Sequence, residues 1–207
     1  NTLARLQLTH CTLVPGIGLQ PDATPTQPGA PSLLLAIADL DTDIDRCIVG
    51  GILCHERASV RASDSLVDAS AREAVAFAGA DEVSAGGVLS LIACTVVGKV
   101  HASEIGLISN SILHAALADT DSWPVPVRSA RKQVGCVRFS WLPFESIVPA
   151  RHRCQPASAG DARRIAPRFT SLRYGTPAYG QLTTATPAEI RRGADDESEM
   201  GVFHHLF

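Results

Sequence analysis

Short runs of alternating apolar and polar residues recur along the chain, and each run leads into the same small phrase. The phrase consists of an apolar residue, two spacers, a Cys or Ser, and then β-branched or aliphatic residues. It is plainest within residues 86–117, where Leu91 to Val96 and Ile108 to Leu113 form two successive copies. Alternation with a period of two is typical of half-buried strands. The pattern therefore predicts many short strands joined by corners.

Six copies of the phrase are recognisable by their small residue, and the intervals between these residues are uneven. A basic unit of about 18 residues with insertions accounts for the intervals if residues 33–37 hold a further degenerate copy. Repeats that cannot bury their inner face alone stack on their neighbours. We expect the small residues to form one inward-facing structural stack: Cys11, Cys47, Ser65, Cys94, Ser111 and Cys136.

The repeat predicts an all-β fold, a parallel β-helix (solenoid) with turns of about 18 residues plus loop insertions. It would occupy residues 1–149. Residues 150–207 would form a loop-rich C-terminal extension with a short helix near 187–193. We expect Thr186 to be the N-cap of this helix, Pro187 its first residue and Gly193 its end.

Composition narrows the class of protein. Aromatic residues make up only 5 % of the chain, so the core would be aliphatic. The net charge of −3 does not indicate the basic surface that binds nucleic acid. No run reaches the roughly 18 apolar residues that span a bilayer, and we expect no membrane association. The chain starts at Asn1 without a leader, which we interpret as a fragment of a longer polypeptide.

The six cysteines are not expected to form a disulfide framework. Equivalent positions two turns apart, such as Cys47 and Cys94, would lie about 10 Å apart, whereas a disulfide needs Cα atoms within about 7 Å. We therefore predict buried free thiols in the stack. The sequence leaves the state of Cys54 and Cys154 open.

Two acidic groups are candidate sites. In the first, period two puts Leu40, Thr42 and Ile44 on one face of a strand and aspartates on the other. An outward polar face is the simplest interpretation, but calcium binding and polysaccharide cleavage stay open. The candidate catalytic residues are Asp41, Asp43 and Glu104, and the candidate metal ligands in this row are Asp39, Asp41 and Asp43.

The second acidic group follows Arg192 near the C-terminus and is flanked by two histidines. Its candidate metal ligands are Asp195, Glu197 and His204. The spacing is not that of zinc or calcium loops, which favours a solvated turn. Nucleotide-binding glycine motifs, nucleophile elbows and C-x-x-C pairs are absent from the sequence, and we expect no cofactor.

The turn phrases resemble those of right-handed parallel β-helix proteins. More specifically, CTVVGKVHASEIGLISNSIL, VGCVRFSWLPFESIVPARHRCQP and IRRGADDESEMGVFHHLF are similar to the C-terminal region of large bacterial proteins encoded near genes for phage-tail-like or contractile injection particles. This resemblance implies the handedness of the coil. It supplies no catalytic residues.

The function that follows is a non-catalytic structural or surface-recognition module of a phage-tail-like particle, at its baseplate or fibres. Loops at residues 20–31, 70–84 and 118–131 would form its contact surface. The expected partners are other protein subunits of the particle or the rest of a longer chain, with a surface glycan as a further ligand. The alternative is a polysaccharide-active lyase or hydrolase. The resemblance implies a bacterial protein, either assembled in the cytoplasm or extracellular.

Overall fold

The computed structural model describes residues 3–206, which form fifteen short strands and very little helix. The strands are β1 Arg5–Thr9, β2 Pro31–Leu35, β3 Asp41–Asp45, β4 Ile48–Val49, β5 Gly51–Cys54, β6 Ser59–Ser63, β7 Leu66–Asp68, β8 Val75–Ala78, β9 Gly86–Ile92, β10 Thr95–Val97, β11 Lys99–Ser109, β12 Ile112–His114, β13 Val127–Ser129, β14 Cys136–Arg138 and β15 Arg151–His152. The α-helix, α1, covers Ala188–Arg191, and a 3-10 helix covers His204–Leu206.

The strands form two sheets, and the pairs that these strands make with one another are parallel. The larger sheet has eleven strands, and its main path runs β1-β3-β6-β9-β11-β8-β5-β2. The smaller sheet has four strands in the order β12-β10-β7-β4. The larger sheet curls into a half-barrel, an α/β-like arrangement of parallel strands, although helices are few. Its two edge strands on this path are β1 and β2.

The expected right-handed parallel β-helix, a solenoid with turns of about 18 residues plus loop insertions, was wrong. Strand β11 pairs with β8 near Lys99 and Val100 and with β9 from Ala102 onward. One sheet therefore continues around the curl, where a solenoid would keep separate sheets. The degenerate copy expected at residues 33–37 also does not fill the long interval between the first two phrases, because β2 pairs with β5 at the other end of the main path from β1. The recurring phrases marked neighbouring strands and not the turns of a solenoid.

A repeated corner joins the larger sheet to the smaller one. At each corner one residue has a positive φ between 46° and 52°, and it directly precedes a Cys or Ser. These left-handed residues are His10, Arg46, Asp64, Ala93, Asn110, Phe139 and Arg153. A left-handed conformation costs a non-glycine residue roughly 1–2 kcal/mol, so the surrounding structure must stabilise each corner.

The thiol or hydroxyl that follows each left-handed residue supplies this stabilisation. It donates a hydrogen bond to the carbonyl two residues earlier, as Ser111 does to Ser109 at 2.8 Å. It also accepts from the backbone N–H of a neighbouring corner: Cys94 N–H donates to Ser111 Oγ at 3.0 Å, and Ser111 N–H donates to Ser140 Oγ at 3.0 Å. The corners are thus linked to one another by side chains as well as by the strand ladders.

The core lies between the two sheets and is mainly aliphatic. Its fully buried side chains include Leu40, Ile44, Ile105 and Leu113. A second cluster joins the smaller sheet to the C-terminal segment through Ile112, Trp141, Ile165, Ile190 and Met200. The division of the chain at residue 149 stays a prediction.

Helix α1 differs from its predicted form at its start. Pro187 is the N-cap residue and makes no side-chain capping bond, so the prediction of Thr186 as N-cap was wrong. The Thr186 hydroxyl instead bonds the backbone of Arg168, donating to its carbonyl at 2.9 Å. Within residues 3–206 no helix is long and apolar enough to cross a membrane.

The corner geometry makes a prediction for Ser111, which is fully buried. Replacing it with Ala leaves the buried Cys94 N–H without a side-chain acceptor, so we expect Ser111→Ala to lower the free energy of unfolding by about 1–3 kcal/mol. Ser111→Cys should cost less, because thiols already occupy the equivalent place at other corners. Urea unfolding of both variants measures the difference, and equal losses would contradict this role of the hydroxyl.

A second prediction concerns His114, which packs against Phe169 and Trp141 with its Nδ1 buried and without a partner among residues 3–206. Burial, assisted by Arg72, lowers the pKa of His114 to about 4. The unfolded chain therefore binds the proton first as pH falls. Stability should decrease from about pH 6.5 toward pH 4, by at most about 1.4 kcal/mol per pH unit.

The variant His114→Phe removes this titration, and its unfolding free energy should depend less steeply on pH over that range. His205→Gln, at an exposed position, is the matched control and should keep the slope of the unaltered protein. Chemical denaturation at several pH values provides the measurement. An unchanged slope in His114→Phe would exclude His114 as the source.

Candidate functional site

The aspartates of β3 lie side by side with arginines and serines of the adjacent strands. Asp43 accepts hydrogen bonds from Arg61 Nε at 2.8 Å and Arg5 Nη2 at 2.7 Å. Asp45 accepts from the Ser63 hydroxyl at 2.9 Å. The same kind of pairing joins Asp41 to Ser59, and Asp39 to Arg57. Asp39 and Asp43 are therefore paired with arginines, whereas Asp41 and Asp45 accept hydrogen bonds from serine hydroxyls.

This pairing bears on the candidate catalytic residues. The bond from Arg61, with a further one from Arg5, lowers the pKa of Asp43 and keeps it from serving as a proton donor. Glu104 lies at the same level as Asp41 but three strands away across the sheet, about 14 Å at the usual strand spacing. Paired carboxylates of glycosidases are about 5–9.5 Å apart. The fold does not bring Asp41 and Glu104 together.

Two of the C-terminal metal candidates do meet. Asp195 and His204 lie with Asp196 so that one ligand atom from each falls within 4.8 Å of the others. Glu197 is not in the group, and Asp196 was missed because adjacent residues give no metal-ligand spacing. His204 Nδ1 is 2.7 Å from Ser198 Oγ and 3.2 Å from the Glu199 carbonyl, an arrangement that orients Nε2 toward Asp196. The group offers mixed oxygen and nitrogen ligands to a divalent cation, and it carries no functional conclusion here.

The thiols and hydroxyls predicted to stack occupy the corners, with one exception. Cys11, Cys47, Ser65, Cys94 and Ser111 each follow a left-handed residue, whereas Cys136 begins β14. Ser140 and Cys154 take the next two corners. The sequence pattern at these two positions was weak, because the residues that precede them, Phe139 and Arg153, lie in less apolar stretches of the sequence.

The interior cysteines do not have the environment of a nucleophile. All six are free, and the four in the interior are Cys47, Cys54, Cys94 and Cys154. Burial raises the pKa of each of these four thiols, to about 12 for Cys94. A raised pKa keeps the thiol protonated and unreactive. The buried thiols therefore serve packing and hydrogen bonding.

A cleft between the segment at residues 182–184 and the end of α1 was not predicted. It is lined by Leu182, Thr183, Thr184, Arg191, Arg192 and Glu199. Glu199 is buried, with 6 % of its surface exposed, and burial raises the pKa of its carboxyl group. The sequence offered only the Arg191-Arg192 pair as a signal, since nothing in an acidic run distinguishes a buried glutamate from its exposed neighbours.

Comparisons with known protein families, with curated proteins and with solved structures find no match. The expected membership among right-handed β-helix proteins is contradicted by the two-sheet half-barrel, and the expected similarity to phage-tail-like proteins finds no support. The resemblance lay in short phrases, which specify corners and alternating strands and do not identify a family.

Exposure of the thiols yields a test. Cys11 and Cys136 are partly exposed, while the other four cysteines are buried. We expect iodoacetamide to modify Cys11 and Cys136 in the folded protein and to leave Cys47, Cys54, Cys94 and Cys154 unmodified until denaturant is added. Mass spectrometry of peptides reports each site, and early modification of Cys94 would contradict the buried corner.

Proposed function

We propose that this protein is a non-catalytic structural module that binds an extended segment of another protein chain. The binding site would be the open end, defined as β1, residues 11–13 and β2. The single observation that carries the proposal is that β1 and β2 are the two ends of the main path of the larger sheet and that both pack on the core, with Ser32 of β2 donating a hydrogen bond to the Leu13 carbonyl.

The outward backbone groups of β1 are suited to strand addition. Ala4 carbonyl accepts from Asp41 N–H, and His10 N–H donates to Asp45 carbonyl, so alternate residues of β1 bond to β3. In a parallel ladder the residues between them, Arg5, Gln7 and Thr9, direct N–H and C=O away from β3. Among residues 3–206, no strand pairs with that edge. Unpaired edges of this kind bind extended peptides.

Side chains at the open end also favour an added strand. Five partly buried apolar residues of this end pack on the core: Leu6, Leu8, Cys11, Leu13 and Leu33. Cys11 begins the row of corners. The Cys11 N–H donates to Cys47 Sγ at 3.3 Å, which is the bond that links neighbouring corners. The Cys11 Sγ itself lies where the N–H of a further corner would donate. A parallel segment with apolar residues at alternate positions would complete both patterns.

The positions of the acidic residues favour binding of a protein chain over polysaccharide cleavage. Asp43 is held between two arginines, and Asp41 and Glu104 are separated by two intervening strands. Sugar-stacking aromatics are also scarce in the sequence.

A proline at position 7 tests the proposal. Its ring would remove one outward N–H and obstruct an incoming strand, while the bonds from β1 to β3 are made by the flanking residues. The probe is a synthetic peptide of residues 40–49, the chain's own neighbour of β1. Fluorescence anisotropy measures peptide binding, and light scattering measures self-association.

We expect the unaltered protein to bind the peptide or a second copy, and Gln7→Pro to abolish that binding. The control Gln7→Ala retains the N–H and should bind normally. Unfolding curves of both variants check that the fold is kept. Failure of the unaltered protein to bind either probe, or equal binding by Gln7→Pro, would contradict strand addition.

A further inference from the structure

The cleft beside Glu199 is a second candidate binding site of the protein. Its volume is about 250 Å³. A water molecule occupies about 30 Å³ of liquid, so the cleft is large enough for a molecule of several heavy atoms. It lies on the C-terminal segment, and its residues belong neither to the open end nor to the acidic row of β3.

Polar groups facing the cleft lack partners within the part of the chain that the structure describes. The carboxylate of Glu199 accepts no hydrogen bond there, although the residue is more than nine-tenths buried. The Arg191 side chain lines the same cleft and forms no ion pair with the described residues. Buried polar groups in native proteins are almost always hydrogen-bonded, and leaving one unpaired costs about 1–3 kcal/mol. Their partners must therefore come from solvent or from a ligand.

The two groups demand a ligand that both donates and accepts. Glu199 as a carboxylate only accepts, and Arg191 only donates. Arg191 attracts Glu199 electrostatically, yet the two side chains form no direct ion pair. A gap therefore separates a donor from an acceptor inside one cleft.

We propose that the cleft binds a small neutral polyhydroxylated molecule, a monosaccharide or sugar alcohol, one of whose hydroxyls donates to Glu199 while a neighbouring hydroxyl accepts from Arg191. Hydroxyl groups act as donors and acceptors at once, which meets the requirement of both protein groups. Leu182, which packs on the second core cluster, supplies an apolar wall for the C–H face of such a ligand.

An oxyanion is the main competitor, because Arg191 and Arg192 would attract it. Its negative charge would, however, lie close to the Glu199 carboxylate, and like charges at short range are unfavourable in a partly desolvated site. Binding of an anion would then require Glu199 to take up a proton. The two ligand classes consequently respond in opposite directions to removal of the Glu199 charge and to pH.

The test is an NMR titration of the full chain with single probes: glucose, galactose, mannose, glycerol and inorganic phosphate, each taken into the millimolar range. The signals of interest are the Arg191 Nε–H and the backbone amides of residues 182–184 and 199. We expect saturable shifts with at least one sugar, confined to the cleft.

Glu199→Gln should weaken that sugar by roughly tenfold, because a charge-assisted hydrogen bond becomes a neutral one. Glu197→Gln, which removes an exposed charge two residues away, is the matched control and should bind normally. Sugar affinity should rise with pH as Glu199 ionises. Thermal unfolding of both variants establishes that they are folded.

Three outcomes would overturn the proposal. The first is binding of phosphate that strengthens in Glu199→Gln and weakens with rising pH, which assigns the cleft to an anion. The second is the absence of any saturable shift with the sugars and glycerol, which leaves ordered water only. The third is equal weakening of sugar binding in Glu197→Gln. None of these results bears on strand addition at the open end, so the two proposals fail separately.

Discussion

The fold depends on one local constraint, the left-handed corner followed by a thiol or hydroxyl. The left-handed residue turns the chain from the larger sheet to the smaller one, and the side chain that follows satisfies backbone groups on both sides of the turn. The same geometry recurs at seven corners, and residues as different as Ala93 and Arg153 take the left-handed position. The requirement is therefore for the small polar residue and not for glycine. Because each corner bonds to its neighbour, the register of both sheets is fixed at the same points.

The curl of the larger sheet follows from these corners and from β11. The two ends of β11 pair with different strands, so the sheet curls into a half-barrel around an aliphatic core, and β1 and β2 end its main path. In the outward row on β3, Asp43 is paired with Arg5 and Arg61, whereas the C-terminal segment contains Glu199 in surroundings that leave its carboxylate without a bond from the described residues.

The sequence predicted the local strand pattern correctly and the arrangement of the sheets wrongly. Alternation in β3 was readable, since Thr42 and Ile44 are buried and the aspartates face outward. The uneven intervals between phrases coincide with the pairing of strands, as at Thr95 and Ile112. A solenoid turn of about 18 residues with insertions was wrongly inferred from them. The change of pairing partner along β11 could not be predicted, because it is set by tertiary contacts. Glu199 could not be distinguished either, because its burial depends on how the C-terminal segment packs.

The uneven spacing of the corners bears on how the chain accommodates changes in length. The chain between the corners at His10 and Arg46 is more than twice as long as the chain between those at Phe139 and Arg153, yet all four residues have φ between 48° and 52° and are followed by the same kind of hydrogen bond. A segment that leaves one corner and returns to the next can lengthen or shorten at small entropic cost, since loop closure depends only weakly on length. Such an architecture accommodates segments of different length on its surface while the bonds inside it stay the same.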